Sequence, residues 1–238
     1  MEKFLRLLLG FAVLLPAGVC QEQEKECALG KHLSENVKRS ATLLDDPAVV
    51  AYVDRLAQTV SARCAAGKPV NVGVIVSDEM NGFALPGGFL FVNTGVLRHA
   101  GSEAELAGVL AHLIAYKPIR QTAVNYTSTP LIFMGSWLGH AYNVGAGTAV
   151  PLGSMEAYRT AVSEADARGL ACLDQAGYDP AAYIENLRRL PTPTRASTHP
   201  APAERIEQAQ GGMQVLEAKP EYLLSTAEFQ EMKRRLIF

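Results

Sequence analysis

A chain of 238 residues, 48% hydrophobic and 19% charged, has ordinary globular composition and enough apolar material for one well-filled core. Its formal net charge of -2 creates no general field for nucleic acid or anionic lipid, and no run of like charges stands out, so nucleic-acid binding is set aside. With no internal repeat, the simplest organisation is an export segment at residues 1–20 followed by one domain at 21–238.

Glu2, Lys3 and Arg6 give a weakly basic start, an apolar run follows from Leu7 to Leu15, and Pro16, Ala17 and Gly18 break it. The run falls far short of the roughly 20 residues that span a bilayer, and reads as a signal peptide. The mature protein is therefore expected in the periplasm or outside the cell, without a transmembrane helix. Cys20 invites lipid anchoring, but Val19 stands where lipoprotein processing wants a small residue, which favours a soluble product. Cys27, Cys64 and Cys172 remain after export, where disulfides persist. One reading pairs Cys27 with Cys64, holding the N-terminal segment to the first long helix. The other leaves three thiols unpaired, with Cys172 buried in a helix.

After a charged, frayed stretch at 21–30, helices are expected over Leu33–Arg39 and Pro47–Cys64; Asp45, Asp46 and Pro47 start the second, and Val49, Val50, Val53, Leu56, Ala57 and Val60 give it an apolar face. Val70–Val76 and Phe89–Val92 read as strands of a small antiparallel sheet, joined through Asn81–Gly88. Ser102 and Glu105 form a capping box for a helix buried through Leu106, Val109, Leu110, Leu113 and Ile114. Thr127 to Gly153 is rich in Gly, Ser and Thr around the apolar Leu131–Met134, too short a stretch to be transmembrane and either a mobile cover or an ordinary apolar loop packed on the body. A helix follows from Met155 to Gly177, with Gly177 suited to a left-handed cap and Pro180 opening the next helix. Thr192 to Pro202 is a Pro/Thr-rich loop, and Ala203–Gln210 and Thr226–Leu236 close the chain as helices.

His112 and Tyr116 stand four apart on one helix, the spacing at which two histidines hold a zinc ion while a glutamate after the first acts as general base. Around them, Asn81-Gly82-Phe83-Ala84-Leu85-Pro86-Gly87-Gly88-Phe89-Leu90-Phe91-Val92-Asn93-Thr94-Gly95 and Ser102 to His112 resemble the gluzincin peptidases related to the HtpX and CAAX prenyl proteases. Ser163 to Leu170, Ala176 to Pro180, Ser197-Thr198-His199-Pro200 and Glu204-Arg205-Ile206 match later landmarks of the soluble, periplasmic branch, in the right order.

The resemblance implies an α+β metallopeptidase-like fold, mostly helical with a small sheet. It also turns against catalysis. The family's His-Glu-x-x-His reads His112-Leu113-x-x-Tyr116, and the glutamate ligand expected four residues before Asp166 is Val162. Leu113 cannot accept a proton from an attacking water, and Tyr116 is a poor substitute for imidazole at neutral pH. Pro118 should end the helix. Catalytic residues are thus not expected, nor is a cofactor, unless His112, Asp166 and His199 rebuild a zinc site; otherwise His112 and Asp166 share a structural hydrogen bond or a water and His199 shapes a loop. His99 and His140 read as surface or loop residues. The resemblance places Gly87, Gly88, Phe89, Leu90, Phe91, Val92 and Asn93 at a cleft edge where an extended chain could add as a strand, or else this strand is only the core hairpin of the inherited fold. The expected function is a pseudoprotease that binds an extended polypeptide or partner in envelope protein quality control. The alternatives are a zinc endopeptidase with an atypical site, and a structural subunit docking through Thr127 to Gly153.

Overall fold

The computed structural model describes residues 17–64, 69–116, 135–136, 152–190, 199–217 and 219–236. The expected export run, Pro118, His140, Leu131 to Met134 and residues 192–198 of the Pro/Thr-rich loop lie outside the described residues.

Helix α1 runs Ala17–Ser40 without the break expected near Leu33, and places Leu33 and Val37 on the sheet. Helix α2, Pro47–Cys64, starts where Asp46 accepts hydrogen bonds from the backbone of Ala48 (2.9 Å) and Val49 (3.1 Å), and buries Val49, Val53, Leu56, Ala57 and Val60 as their spacing requires. Strands β1 (Asn71–Ile75), β2 (Gly82–Leu85), β3 (Phe89–Asn93) and β4 (Gly135–Ser136) form a sheet in the order β1-β3-β2-β4.

The α+β class holds, but the sheet is mixed. Strand β1 runs parallel to β3, with Asn71 opposite Phe89, and the antiparallel partner of β3 is β2. The expected loop contains that strand: Asn81-Gly82-Phe83-Ala84-Leu85 is fully buried, so no alternation marks it as one. Pro86–Gly88 turns the chain back, with Gly87 at φ +74° and Gly88 at φ +83°, backbone that glycine adopts without strain. Phe83 and Phe91 stack across β2 and β3 with centroids 5.2 Å apart.

Helix α3 spans Thr94–His99, with His99 exposed at its end. Helix α4, Glu103–Ala115, is buried on nearly every side and forms the axis of the domain. Ser102 accepts from the Glu105 backbone (3.2 Å), but Glu105 does not close the box: its carboxylate takes the Gly101 backbone N–H (2.8 Å) and pairs with Arg189. Helices α5 (Leu152–Gln175), α6 (Ala181–Arg189), α7 (Pro202–Met213) and α8 (Ala227–Arg235) complete the fold. Gly177 follows α5 at φ +86°, as its sequence context requires.

The cysteine pairing differs from expectation. Cys64 joins Cys172 across a Cα–Cα distance of 4.8 Å, stapling the end of α2 to α5, and Cys27 is exposed on α1. Packing of α2 beside α5, absent from any local signal, brings the two sulfurs together.

Candidate functional site

His112 sits on the last turn of α4 against α5, where Gly169 permits close approach; a Cβ there would lie 3.0 Å from the His112 backbone nitrogen. Its Nδ1 donates to Asp166 Oδ1 of α5 at 2.7 Å. Arg205 of α7 donates from Nε to Asp166 Oδ2 (2.7 Å) and from Nη2 to Oδ1 (2.8 Å). The Tyr183 hydroxyl of α6 donates to the same Oδ1 and lies 3.3 Å from His112 Nδ1. Four helices therefore meet at one carboxylate, and none of the four side chains is more than 2% exposed.

Burial works against the charge of Asp166, but the Arg205 guanidinium and the hydrogen bonds from Arg205 and His112 outweigh it and hold the carboxyl below its usual range. For His112 burial dominates: it lowers the imidazole's affinity for protons more than Asp166 raises it, so the ring is neutral at pH 7. Burial likewise keeps Tyr183 protonated as a donor. The short His112–Asp166 contact is thus a neutral donor on a carboxylate, and the ion pair is Asp166 with Arg205. The expected structural bond between His112 and Asp166 is present. Arg205 and Tyr183 are the partners that the sequence reading missed. For Arg205 a signal existed: it stands four residues before Ala209, on the inner face of α7.

The positions to which the resemblance assigns the zinc site are buried in apolar surroundings. Leu113 is buried in the main core, and Tyr116, Val162 and Ala165 pack together with Ala161 as a separate apolar cluster. The Tyr116 ring lies 6.4 Å from that of His112, tilted by 41°, and burial pushes its phenol up to about 12. A catalytic zinc ion needs about three nitrogen, sulfur or carboxylate donors from the protein. The positions that the resemblance assigns supply one imidazole, a phenol held protonated and an isopropyl group, so this donor set does not fit the ion. The rebuilt alternative is not formed: among the described residues no three His, Cys, Asp or Glu side chains gather to hold a metal. Asp166 has both oxygens committed to its neighbours, and His199, buried ahead of α7, joins no such group.

The strand proposed as a docking edge also needs correction. Strand β3 is paired on both sides, by β1 and β2, so Phe89 to Asn93 cannot accept an added strand. What borders this stretch is a groove of about 540 Å³. Among the described residues it is lined by Pro86 to Leu90, by Glu26, Cys27, Ala28 and Lys31 of α1, by Pro69 to Asn71, by Ala84 and Leu85 of β2, and by Leu113, Ile114 and Tyr116 at the end of α4. Helix α1 lies flush on the turn, since a Cβ at Gly30 would fall 1.8 Å from the Pro86 carbonyl oxygen. Helix α4 ends at Ala115, and Tyr116 leaves it in extended conformation (φ -64°, ψ 123°).

The chain is 27% identical over 237 residues to the beta-barrel assembly-enhancing protease of Escherichia coli K12, covering 90% of this chain and 48% of that protein. The Yersinia pestis protein of the same name is 24% identical, covering 93% of this chain and 50% of its own length. The mitochondrial metalloendopeptidase OMA1 of Saccharomyces cerevisiae is 30% identical over 143 residues, 53% of this chain and 41% of that protein. The chain thus spans about half the length of these relatives, or less. Among the described residues no helix is long and apolar enough to cross a membrane. The profile of peptidase family M48 matches residues 44–212, a span that takes in every element around His112, and the chain belongs to that family.

Proposed function

We propose that this protein is a non-catalytic member of family M48 that binds extended polypeptide in envelope protein quality control. The observation that carries this reading is the apolar cluster of Tyr116, Val162 and Ala165 in the place of the ligand shell, beside a His112 locked to Asp166. Leu113 leaves no side chain at the general-base position to take a proton from water. Binding makes no such demand, and a groove bordered by the Pro86 to Leu90 segment persists. The names of the bacterial relatives, beta-barrel assembly-enhancing proteases, support an envelope setting, and so does a disulfide, which persists in oxidising compartments. We place the mature chain in the periplasm or outside the cell.

The test is metal content and proteolysis of the purified mature chain. After exposure to excess zinc at neutral pH and dialysis, it is expected to retain almost no zinc, and to capture unfolded casein without cleaving it. About one zinc per chain, lost in His112→Ala, with chelator-sensitive cleavage of casein, would overturn the reading and establish a peptidase with an atypical site.

A further inference from the structure

We propose that the side-chain amide of Asn93 holds one internal water molecule, which closes the polar seam between the end of β3 and the segment 77–81 laid across it. Asn93 ends β3, and strand alternation puts it on the sheet face of Phe91, opposite Ile75 of β1, where Leu33 and Val37 of α1 pack. The residue is 0% exposed, and its backbone N–H donates to the Asn81 carbonyl at 2.9 Å.

The side chain is the unusual part. Oδ1 and Nδ2 of Asn93 are both sealed from solvent, and neither has a hydrogen-bond partner among the described residues. Asn93 stands at the cap position of α3, yet its side chain does not bond back to that helix. It therefore forgoes the local bond that asparagine ordinarily makes there and carries a donor and an acceptor together into the interior. Burial of an amide in that state costs the desolvation of both groups, and folded proteins recover the loss through an ordered water.

The surroundings supply further polar groups. Segment 77–81 lies directly on the residues that follow β3: the Gly95 N–H donates to the Ser77 carbonyl (2.7 Å), and the Thr94 hydroxyl donates to the same carbonyl (2.9 Å) while accepting from the Ser77 N–H (3.1 Å). The approach is close, since a Cβ on Gly95 would fall 2.3 Å from the Asp78 carbonyl oxygen and 2.5 Å from that of Glu79. Asn81 is also 0% exposed and lies beside Asn93 across the end of the β2–β3 ladder, with its own Oδ1 accepting from the Gly82 N–H at 2.9 Å. The amide itself selects the ligand. A cation would be met by Oδ1 alone and leave Nδ2 a buried donor, whereas an anion would be met by Nδ2 alone and face the lone pairs of Oδ1. A neutral molecule that donates and accepts at once satisfies both atoms, and full enclosure favours the smallest of these, water.

A high-resolution crystal structure of the mature chain, paired with rotating-frame Overhauser spectra in solution, tests the site. The crystal should show one water within hydrogen-bonding distance of both Oδ1 and Nδ2 of Asn93, and the spectra a cross-peak from the Asn93 side-chain amide protons to a long-lived water. Oxygen-17 relaxation dispersion counts long-lived waters, and the count should fall by one in Asn93→Leu, which keeps the shape of the side chain and removes both polar atoms. Should that variant fail to fold, the two wild-type readings decide alone. An Asn93 amide bonded directly to other protein groups, a peak with the coordination distances of a metal ion, a missing cross-peak, or an unchanged count in a folded Asn93→Leu would overturn the proposal.

Discussion

Arg205→Met tests what holds the centre of this fold together. The substitution keeps most of the side-chain volume but leaves Asp166 as a buried carboxylate without its countercharge; the two residues are 2% and 1% exposed and joined by bonds of 2.7 and 2.8 Å. Two unit charges about 4 Å apart attract by about 4 kcal/mol at an effective dielectric of about 20. Removal of one partner from a buried pair typically costs about 3–5 kcal/mol, because the other charge is stranded. Against a domain stability of about 5–15 kcal/mol, that is a large fraction, and it corresponds to a fall in melting temperature of about 6–20 °C for a chain of this size. Urea unfolding followed by circular dichroism reads the loss directly. In the double variant Asp166→Leu/Arg205→Met the cost should fall well below the sum of the singles, with a coupling of at least about 2 kcal/mol. Arg205→Met within about 1 kcal/mol of wild type would falsify the claim that an ionised Asp166 ties α4, α5, α6 and α7 together.

Further outcomes follow from single contacts. Gly30→Ala in a helix interior ordinarily gains about 1 kcal/mol, but here the new Cβ would sit 1.8 Å from the Pro86 carbonyl oxygen, so a loss of about 1–3 kcal/mol in urea is expected. Replacing both Cys64 and Cys172 by Ser reopens a loop with a sequence separation of 108 residues and should cost about 3–5 kcal/mol; in the parent chain a thiol reagent should reach Cys27 but neither of these two until reductant is added. Val162→Glu alone places a carboxylate among Tyr116, Ala161 and Ala165 and should destabilise the chain by about 2 kcal/mol or more, whereas Leu113→Glu/Tyr116→His/Val162→Glu should regain it on addition of zinc, read as a rise in melting temperature. Because burial holds His112 below its ordinary value, the folded protein resists a proton that the unfolded chain accepts; that contribution is complete above about pH 6.5 and is lost as pH falls below it, so wild type should lose more stability than His112→Gln between pH 8 and pH 5.

The sequence was most legible where a signal is local. Asp46 capping α2, the apolar stripe Val49 to Val60 and the cap at Gly177 are decided by neighbouring residues, and each stands as its context requires. Strand β2 was missed because all four of its residues are buried, which erases the alternation by which a strand is recognised beside a Gly- and Pro-rich turn. The direction of β1 against β3 and the choice of Cys172 over Cys27 depend on how distant elements pack, which spacing along the chain does not encode. The same holds for the site. His112, Leu113, Tyr116 and Val162 could be placed by motif, whereas Tyr183 reaches Asp166 only through the docking of α6, and a tyrosine on an amphipathic helix carries no mark of that role.

The division between retained and replaced residues has a physical basis in their partners. His112 and Asp166 keep their polar groups because those groups are used inside the protein: Asp166 accepts from His112, Tyr183 and Arg205, and its charge is matched by Arg205. Their bonding does not need an ion. Among the described residues, positions 116 and 162 pack with Ala161 and Ala165 of α5, with Tyr158 near Tyr116. A carboxylate buried in such an apolar cluster without zinc or a hydrogen-bond partner would cost about 1–3 kcal/mol or more. Valine and tyrosine remove that cost by packing on each other. Filling these positions with apolar contacts thus stabilises the fold without closing the groove beside the end of α4, so the absence of metal-binding side chains there and a binding role are compatible within one arrangement.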